Sequence, residues 1–359
     1  RSRLTLPLGM VRHDPIVGTQ NNEDERRLFY VALTRAKERV YLSYARHTAK
    51  DRERTASLFW HELPPECVVD AATLETQPAA LQRLTVMRRA RPAGHGSAVQ
   101  DWLRRRLKTY VLSVTHLNNY LTCPRLWLYR NVVLVPAAKT RSLALGTAVH
   151  SSLKDLMVRA AREGALPGVA WLLERFQAHL KLEILTAADF RDSRAQGQSA
   201  LRAYYAQYKQ TWVRHVLTEY SFRSHGVHIG AARITGTLDK VEIIDAKQKL
   251  VNVVDYKTGN PDSAGPRVKA GGQYRRQLVF YQLLCDSSPR FPYRMVSGEL
   301  DFVQPSARTG KFVKRRLAIS SGETAELADV ITKAWEDITA LAFLKQPGCG
   351  ECEYCKAVN

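Results

Sequence analysis

Val253-Val254-Asp255-Tyr256-Lys257-Thr258-Gly259 is the stretch that most constrains the fold and the chemistry of this 359-residue chain. The apolar run from Leu250 to Val254 predicts a buried strand. Because side chains alternate along a strand, Asp255 and Lys257 are expected on the same face. A carboxylate that can bind a metal ion would then lie beside an ammonium group that can orient water. Metal-assisted hydrolysis of a phosphodiester needs this pairing, although such pairs also occur as solvated surface ion pairs.

A second acid, Asp239, lies within the preceding strand candidate, which spans residues 233–244. Burial of an acid is costly unless the acid is paired or bound to a metal ion. A short polar turn joins the two strands, so this meander would bring Asp239 close to Asp255, where both could coordinate one divalent cation. Pairing of Asp239 with Lys240 or Arg233 is the plainer alternative.

Four further residues stand out on predicted helices. Gly146 and His150 open a helical run one turn apart, and a glycine there permits close backbone approach. Gln277 and Tyr281 are four residues apart on an otherwise apolar helix, which places them on one face. Taken singly, His150 is more often a core or surface histidine, and Gln277 and Tyr281 are more often part of a helix surface. Their order along the chain, together with the acids and the lysine, is a far more specific signal.

The order of these elements resembles that of the RecB-type branch of the PD-(D/E)XK nucleases. The matching residues are Gly146, His150, Asp239, Asp255, Tyr256, Lys257, Gln277 and Tyr281. The resemblance covers residues 110–359. It implies an α/β, restriction-endonuclease-like fold with a mixed central sheet flanked by helices, and it implies a metal-dependent deoxyribonuclease.

The resemblance also implies a role for each residue. Mg²⁺ or Mn²⁺ would be held by Asp239, Asp255, the backbone carbonyl of Tyr256 and His150. Hard oxygen ligands of this kind suit Mg²⁺. Lys257 would orient or activate the attacking water. Gln277 and Tyr281 would support the site and contact the DNA backbone, and Glu219 is a weaker candidate for an additional acid.

The chain has six cysteines, and four of them suggest a metal site: Cys123, Cys349, Cys352 and Cys355. One remote cysteine with a cluster near the C-terminus resembles the arrangement of AddB-type nucleases, which implies a 4Fe–4S cluster; zinc or no metal are the alternatives. In that family's usual spacing, Cys352 and Cys355 would be the second and third ligands. Cys349 would then be a bystander, and the last ligand would lie beyond Asn359. Cys67 and Cys285 are expected to be small core or surface residues.

The N-terminal region resembles a different family. Residues 23–40 predict a charged amphipathic helix, which a strand over 40–44 follows. The sequence of residues 25–36 is similar to motif VI of UvrD/Rep-type superfamily 1 DNA helicases, which implies that Arg35 contacts the γ-phosphate of ATP in a complete helicase. The chain lacks a G-x-x-x-x-G-K-[ST] phosphate-binding loop, so it cannot be a complete motor. We interpret residues 1–62 as the remnant of a helicase motor domain, with the missing motor domains on the same native chain or on a partner subunit.

The composition favours a polyanionic partner, because the formal net charge is +20 and the isoelectric point is near 9.9. We interpret residues 63–109 as a basic linker, in which Arg104, Arg105 and Arg106 either follow DNA phosphates or form a solvated tether. No signal peptide and no apolar span of about 18 residues is visible. A cytoplasmic protein without membrane contact is therefore expected, in which disulfides are disfavoured.

These features together predict a metal-dependent DNA nuclease that forms the C-terminal part of a helicase–nuclease in DNA repair or recombination. The substrate would be single-stranded DNA or DNA ends. The alternative is a nuclease-like module that binds DNA without cutting it. Helices are predicted over 113–121, 125–132, from 144 to about 223, around Gln277 and over 324–343; strands are predicted over 227–231, 233–244, 250–256, 294–303 and 312–317.

Overall fold

The computed structural model describes residues 20–36, 40, 42, 44–47, 53–60, 62–68, 97–135, 139–212 and 215–356. The chain divides into two compact units, residues 1–108 and 109–359. The second unit contains all seven strands of the described chain, because every strand lies between Val216 and Leu317.

The first unit contains helix α1 (Gln20–Thr34), helix α2 (Ser97–Leu107) and two short 3₁₀ turns. The apolar side of α1 is only partly covered: Phe29 contacts Phe59 with ring centroids 5.7 Å apart, whereas Tyr30 is 66% exposed. The strand predicted over 40–44 is wrong for the described positions 40, 42 and 44, which are not in a strand. Residues 69–96 of the predicted linker lie outside the described residues, and its remaining C-terminal part is helical.

The helices of the second unit begin with polar caps that the sequence supplies. The side chains of Ser113, Thr140 and Thr186 each accept a hydrogen bond from a backbone amide of the first turn. Ser320 and Glu323 form a capping box. The helices are α3 (Val114–Thr122), α4 (Pro124–Trp127), α5 (Arg141–Glu163), α6 (Val169–Lys181), α7 (Ala187–Tyr208), α8 (Gly265–Val268), α9 (Gln273–Ser287), α10 (Ser321–Thr339) and α11 (Glu353–Lys356). None of the described helices has the length and apolar character needed to cross a membrane.

The strands form one five-stranded mixed sheet and one small hairpin. They are β1 (Val216–Ser221), β2 (Val227–Ile229), β3 (Ala232–Ile234), β4 (Thr237–Asp245), β5 (Leu250–Lys257), β6 (Arg294–Phe302) and β7 (Lys314–Leu317). The order in the large sheet is β1-β4-β5-β6-β7. Strands β5 and β6 are parallel, as their connection through α9 requires, and the other neighbours are antiparallel. The predicted α/β fold with a mixed central sheet flanked by helices is confirmed.

Two predicted elements of the second unit also differ from the structure. Helices were predicted to continue to about residue 223, but the last of them ends at Tyr208, and Val216–Ser221 is an edge strand of the sheet. Six residues are too few for periodicity to separate a strand from a helix end. The strand predicted over 233–244 is two strands, because the chain breaks at Gly236, where a Cβ would lie 2.7 Å from a methyl carbon of Leu284.

The two faces of the sheet pack against different helices. Lys240 pairs with Val254, and Val254 pairs with Glu299 on β6. Val254 and Tyr256 therefore share a face, and they pack in the core formed with helices α5, α6 and α7. Asp255 and Lys257 are on the other face, beside α9.

Candidate active site

Asp239 and Asp255 lie next to each other on adjacent strands. The Lys240–Val254 pair places Asp239 opposite Asp255 in the antiparallel register of β4 and β5. The backbone N–H of Tyr256 donates to Asp239 Oδ2 at 3.0 Å. Asp255 is only 2% exposed, whereas Asp239 reaches the surface of a cleft. The sheet thus brings the two predicted acids together at one edge of the cleft.

Lys257 is held in a hydrogen-bonded network with α9. Its Nζ lies 2.6 Å from Asp255 Oδ2 and donates to Gln277 Oε1 at 2.7 Å. The amide of Gln277 donates to Asp255 Oδ1 at 2.7 Å, and Tyr281 Oη donates to the same oxygen at 3.0 Å. Gln277 and Tyr281 therefore fix the positions of the acid and the lysine. Tyr281 is 3% exposed. Contact of Gln277 and Tyr281 with the DNA backbone stays a prediction.

The two oxygens of the buried Asp255 carboxylate have different partners among the described residues. Burial raises the pKa of Asp255, against the opposing effect of the Lys257 ammonium. The Lys257 ammonium lies 2.6 Å from Oδ2, and no other described side chain donates to that oxygen. A buried oxygen of this kind is costly unless a cation or a donor satisfies it.

His150 and Glu219 complete the acidic side of the cleft. His150 on α5 places Nδ1 3.2 Å from Asp239 Oδ2. Burial lowers the pKa of His150, but the hydrogen bond and charge of Asp239 outweigh this, so the net pKa is raised. Burial raises the pKa of Glu219, and the charge of Asp239 raises it further. Glu219 has a left-handed φ of 51° on strand β1, a strained conformation that is often found at functional sites.

The cleft has a volume of about 490 Å³ and is lined by helix α5 and the ends of β1, β4 and β5. Gly146 lines it, and a Cβ at that position would lie 3.2 Å from Thr258 Oγ1. The predicted close backbone approach at Gly146 is therefore confirmed. The donors that line the cleft include the carboxylates of Asp239 and Glu219 and the imidazole of His150. This oxygen-rich set fits a hard divalent ion.

Tyr274 is a cleft residue that the sequence interpretation missed. Its ring centroid lies 4.4 Å from Lys257 Nζ and 4.7 Å from the guanidinium carbon of Arg267. Arg267 also donates to the Tyr274 hydroxyl at 2.8 Å. Tyr274 lies three residues before Gln277 on α9, so helical spacing could have placed it on the same face.

A second ionic network lies on the opposite face of the same strands. Lys240 is 1% exposed and lies 2.8 Å from Glu242 Oε1, so the alternative pairing of Lys240 with Asp239 is wrong. Neighbours in a strand point to opposite faces, which separates these two residues. The other members of this opposite-face network are Asn252, Glu299, Asp301, Lys314, Arg316 and Tyr204.

The comparison with known families identifies both regions of the chain. The profile of the PD-(D/E)XK nuclease superfamily matches residues 111–358, most of the chain. This chain belongs to the PD-(D/E)XK nuclease superfamily. A second profile, that of the UvrD-like helicase C-terminal domain, matches residues 5–47 and includes Arg35. The resemblances to the PD-(D/E)XK nucleases and to the UvrD-like helicases are confirmed.

Solved structures also show similarity to this PD-(D/E)XK nuclease. A protein from Eubacterium rectale named "Putative exonuclease" is 13% identical, with a TM-score of 0.40, covering 74% of this chain and 92% of its own. The protein SSO0001 is also 13% identical, with a TM-score of 0.26, covering 68% of this chain and 87% of its own. No curated protein sequence matches the chain.

The nuclease unit also contains a four-cysteine site. One ligand atom from each of Cys123, Cys349, Cys352 and Cys355 lies within 4.8 Å of the others, so the site could bind a metal ion. Cys123 ends α3 and starts α4, whereas the other three lie in the C-terminal segment. Burial raises the pKa of Cys123, but backbone amides of Cys349 and Leu126 outweigh it, so the net pKa is lowered. Cys285 is a separate buried residue on α9, as expected.

The predicted basic and nucleotide contacts lie in the first unit. Arg104, Arg105 and Arg106 form the last turn of α2, where Arg104 and Arg105 are exposed and Arg106 is partly exposed. Arg104 pairs with Asp101 at 3.2 Å. Arg35 follows the end of α1 and is exposed. These positions leave the three arginines of α2 and Arg35 accessible to ligands.

Proposed function

We propose that this chain is a Mg²⁺- or Mn²⁺-dependent deoxyribonuclease that hydrolyses phosphodiester bonds. The observation that carries the proposal is the placement of Asp239, Asp255 and Lys257 on one sheet face beside an open cleft. In this superfamily the same three residue types carry the hydrolytic site. Oδ2 of Asp255 is buried and has the Lys257 ammonium as its close partner, so this position already favours cationic charge.

The donor set supports a specific group of metal ligands. The ion would be held by Asp239, Asp255, the backbone carbonyl of Tyr256 and His150. The charge of Asp239 raises the pKa of Glu219, so these two carboxyl groups lie close together. When bound, a divalent ion would activate water and neutralise charge on the phosphate. His150 and Asp239 are already in contact, so His150 also orients the carboxylate it faces.

The protein groups around the ion have separate tasks. Lys257 presents an ammonium group at the cleft, where it would orient water and stabilise negative charge that develops on the phosphate. Gln277 bonds both Lys257 and Asp255, so it holds their spacing fixed. Tyr281 donates to Oδ1 of Asp255 and so does not occupy Oδ2, the oxygen beside Lys257.

DNA is the substrate that best suits the whole chain. A formal net charge of +20 favours a polyanion, and the exposed arginines of α2 offer phosphate contacts. The UvrD-like segment supports a role as the C-terminal part of a helicase–nuclease that handles single-stranded DNA or DNA ends in repair or recombination. ATP would then be used only by the complete helicase, through Arg35 and the other motor domains.

Nuclease assays with the full chain test this proposal. Labelled single-stranded and double-stranded DNA would be incubated with Mg²⁺, with Mn²⁺ and with a chelator. We expect cleavage only with metal, and a loss of at least about 100-fold in Asp239→Asn and Asp255→Asn. Asp329→Asn, an exposed acid on α10, is the matched control and should retain full activity.

Two outcomes would change the assignment. Retained cleavage in both aspartate variants would reject the proposed site. Tight, salt-sensitive DNA binding without cleavage in any metal would instead support the nuclease-like module that only binds DNA. ATP hydrolysis by this chain alone would contradict the interpretation of residues 1–62 as a motor-domain remnant.

A further inference from the structure

The four-cysteine site has the dimensions of a single-ion site. Cys123 Sγ lies 3.6 Å from Cys355 Sγ and 3.8 Å from Cys352 Sγ. All four sulphur atoms lie within 4.8 Å of one another. A tetrahedral zinc ion with Zn–S bonds of about 2.3 Å places its sulphur ligands roughly 3.8 Å apart. The sulphur spacing in this nuclease therefore matches one central ion.

A 4Fe–4S cluster requires a larger cage. Each thiolate binds a different iron, and four irons with four sulphides must fit between the cysteines. Here Cys123 and Cys355 are each 1% exposed, and their sulphur atoms are in contact. The loop before Cys349 also packs closely against the site. A Cβ on Gly348 would overlap Cys355 Sγ and lie 3.0 Å from Arg125 Cδ. The short distances between these sulphur atoms therefore do not match the wider spacing that a cluster requires.

The turn that carries Cys349 is also built to face a metal. Gly350 has a φ of 74°, which reverses the chain between Cys349 and Cys352. The backbone N–H of Cys352 then donates to Cys349 Sγ at 3.3 Å. This bond brings the exposed Cys349 into the site, although the usual family spacing would leave it a bystander. Hydrogen bonds to ligand atoms orient them and strengthen metal binding.

We infer that Cys123, Cys349, Cys352 and Cys355 bind one structural Zn²⁺ ion in place of an iron–sulfur cluster. The ion would join two segments of the chain, since Cys123 and Cys355 are 232 residues apart in sequence. All four positions around the metal are protein thiolates, so the site is closed to substrate and serves stability rather than chemistry.

Metal analysis of the full chain tests the identity of the ion. The protein would be produced in medium that contains both iron and zinc, purified without oxygen, and assayed for zinc, iron and acid-labile sulphide. We expect a colourless protein with about one zinc per chain. A brown protein with stoichiometric iron and sulphide would overturn the inference, and so would a protein with neither metal.

Variants of Cys349 test the ligand set. Cys349→Ser should lose zinc, whereas Cys285→Ala, which changes a buried cysteine outside the site, should keep it. Cys349→His should restore about one zinc per chain, because Cys₃His is a common zinc ligand set. If histidine restores zinc binding, the loss of zinc in Cys349→Ser is due to the missing ligand and not to misfolding. Zinc retained by Cys349→Ser, or no zinc in the histidine variant while circular dichroism shows a folded protein, would contradict the assignment.

Cobalt substitution gives an independent spectroscopic readout. Co²⁺ bound by four thiolates in a tetrahedron should show intense visible bands, and the histidine variant should show shifted bands of the same tetrahedral type. The Cys285→Ala spectrum should equal that of the unmodified chain. Octahedral cobalt spectra in the unmodified chain would reject the four-thiolate site.

Discussion

The two faces of the central sheet carry ionic networks of similar composition, but Lys257 on one face and Lys240 on the other differ in their access to solvent. On the cleft face, Lys257 contacts Asp255 and borders an open cleft. On the opposite face, Lys240 contacts Glu242 and is 1% exposed. A lysine–carboxylate pair is therefore not a functional signal by itself. Access to a ligand distinguishes the pair that can act on a substrate from the pair that only stabilises the fold.

The two lysines can be separated by single substitutions, and Lys257 should give the larger effect. We expect Lys257→Ala to reduce the cleavage rate by about 10²–10⁴-fold, because water orientation and charge stabilisation are both lost. Thermal stability should also fall, because the Lys257 side chain is 14% exposed and is the close cationic partner of the buried Asp255 carboxylate, so cleavage is compared per folded molecule. Single-turnover cleavage rates and melting curves measure the two effects. Lys247→Ala, an exposed lysine on the β4–β5 turn, is the matched control; an equal loss in both variants would refute the role of Lys257.

A different result is expected for Lys240. Lys240→Met leaves Glu242 buried without its partner, which should lower the free energy of unfolding by about 3–5 kcal/mol. The cleavage rate per folded molecule should remain unchanged, because Lys240 does not face the cleft. Denaturant unfolding measures the loss, and Lys333→Met on the surface of α10 is the control.

A double variant sharpens this prediction. Replacing both partners, in Lys240→Met with Glu242→Leu, should recover much of the lost stability, because no uncompensated charge remains. If the double variant is as unstable as Lys240→Met alone, the pair is not what stabilises this face.

The sequence allowed one face of the sheet to be predicted far better than the other. Strand alternation and the short β4–β5 turn were enough to place Asp239, Asp255 and Lys257 together, because these residues belong to one hairpin. The opposite-face network joins Lys240 to Glu299 and Lys314 through the order of strands β4 to β7. That order depends on a parallel crossover through α9, which no local pattern specifies.

Other differences between the predictions and the structure have separate causes. Glu219 reaches the cleft only because Val216–Ser221 is an edge strand, and the sequence had favoured a helix there. Tyr274 was not predicted as a cleft residue, because an aromatic residue on an amphipathic helix usually belongs to a hydrophobic core. The cysteines were recognised by spacing, yet only the distances between sulphur atoms favour one ion over a cluster.

Within the cleft face, Gln277 should have a smaller effect than Lys257. Gln277→Ala removes the hydrogen bonds that fix Lys257 and Asp255, but both reactive groups remain. We expect a loss of about 10–100-fold in the cleavage rate, and Gln277→Glu should not restore activity because it adds a negative charge beside Asp255. Gln282→Ala, one turn along the same helix and outside the cleft, is the control. A full loss equal to that of Lys257→Ala would show that Gln277 takes part directly in the reaction.

The smallest predicted effect concerns how the free energy of unfolding depends on pH, to which the Lys240–Glu242 pair of the opposite face contributes. Burial raises the pKa of Glu242, but Lys240 and the other partners outweigh it, so the folded-state pKa lies below the ordinary value of 4.5. A carboxyl with a depressed pKa stabilises the fold above its unfolded-state pKa, and this contribution is lost as the pH falls through the folded-state pKa. The unmodified chain should therefore lose more stability than the Lys240→Met, Glu242→Leu double variant between neutral pH and pH values below 4.5. Urea unfolding across this range measures the difference; identical pH profiles would mean that Glu242 titrates in the folded protein as it does in the unfolded chain, and that the opposite-face pair contributes no ionic stabilisation.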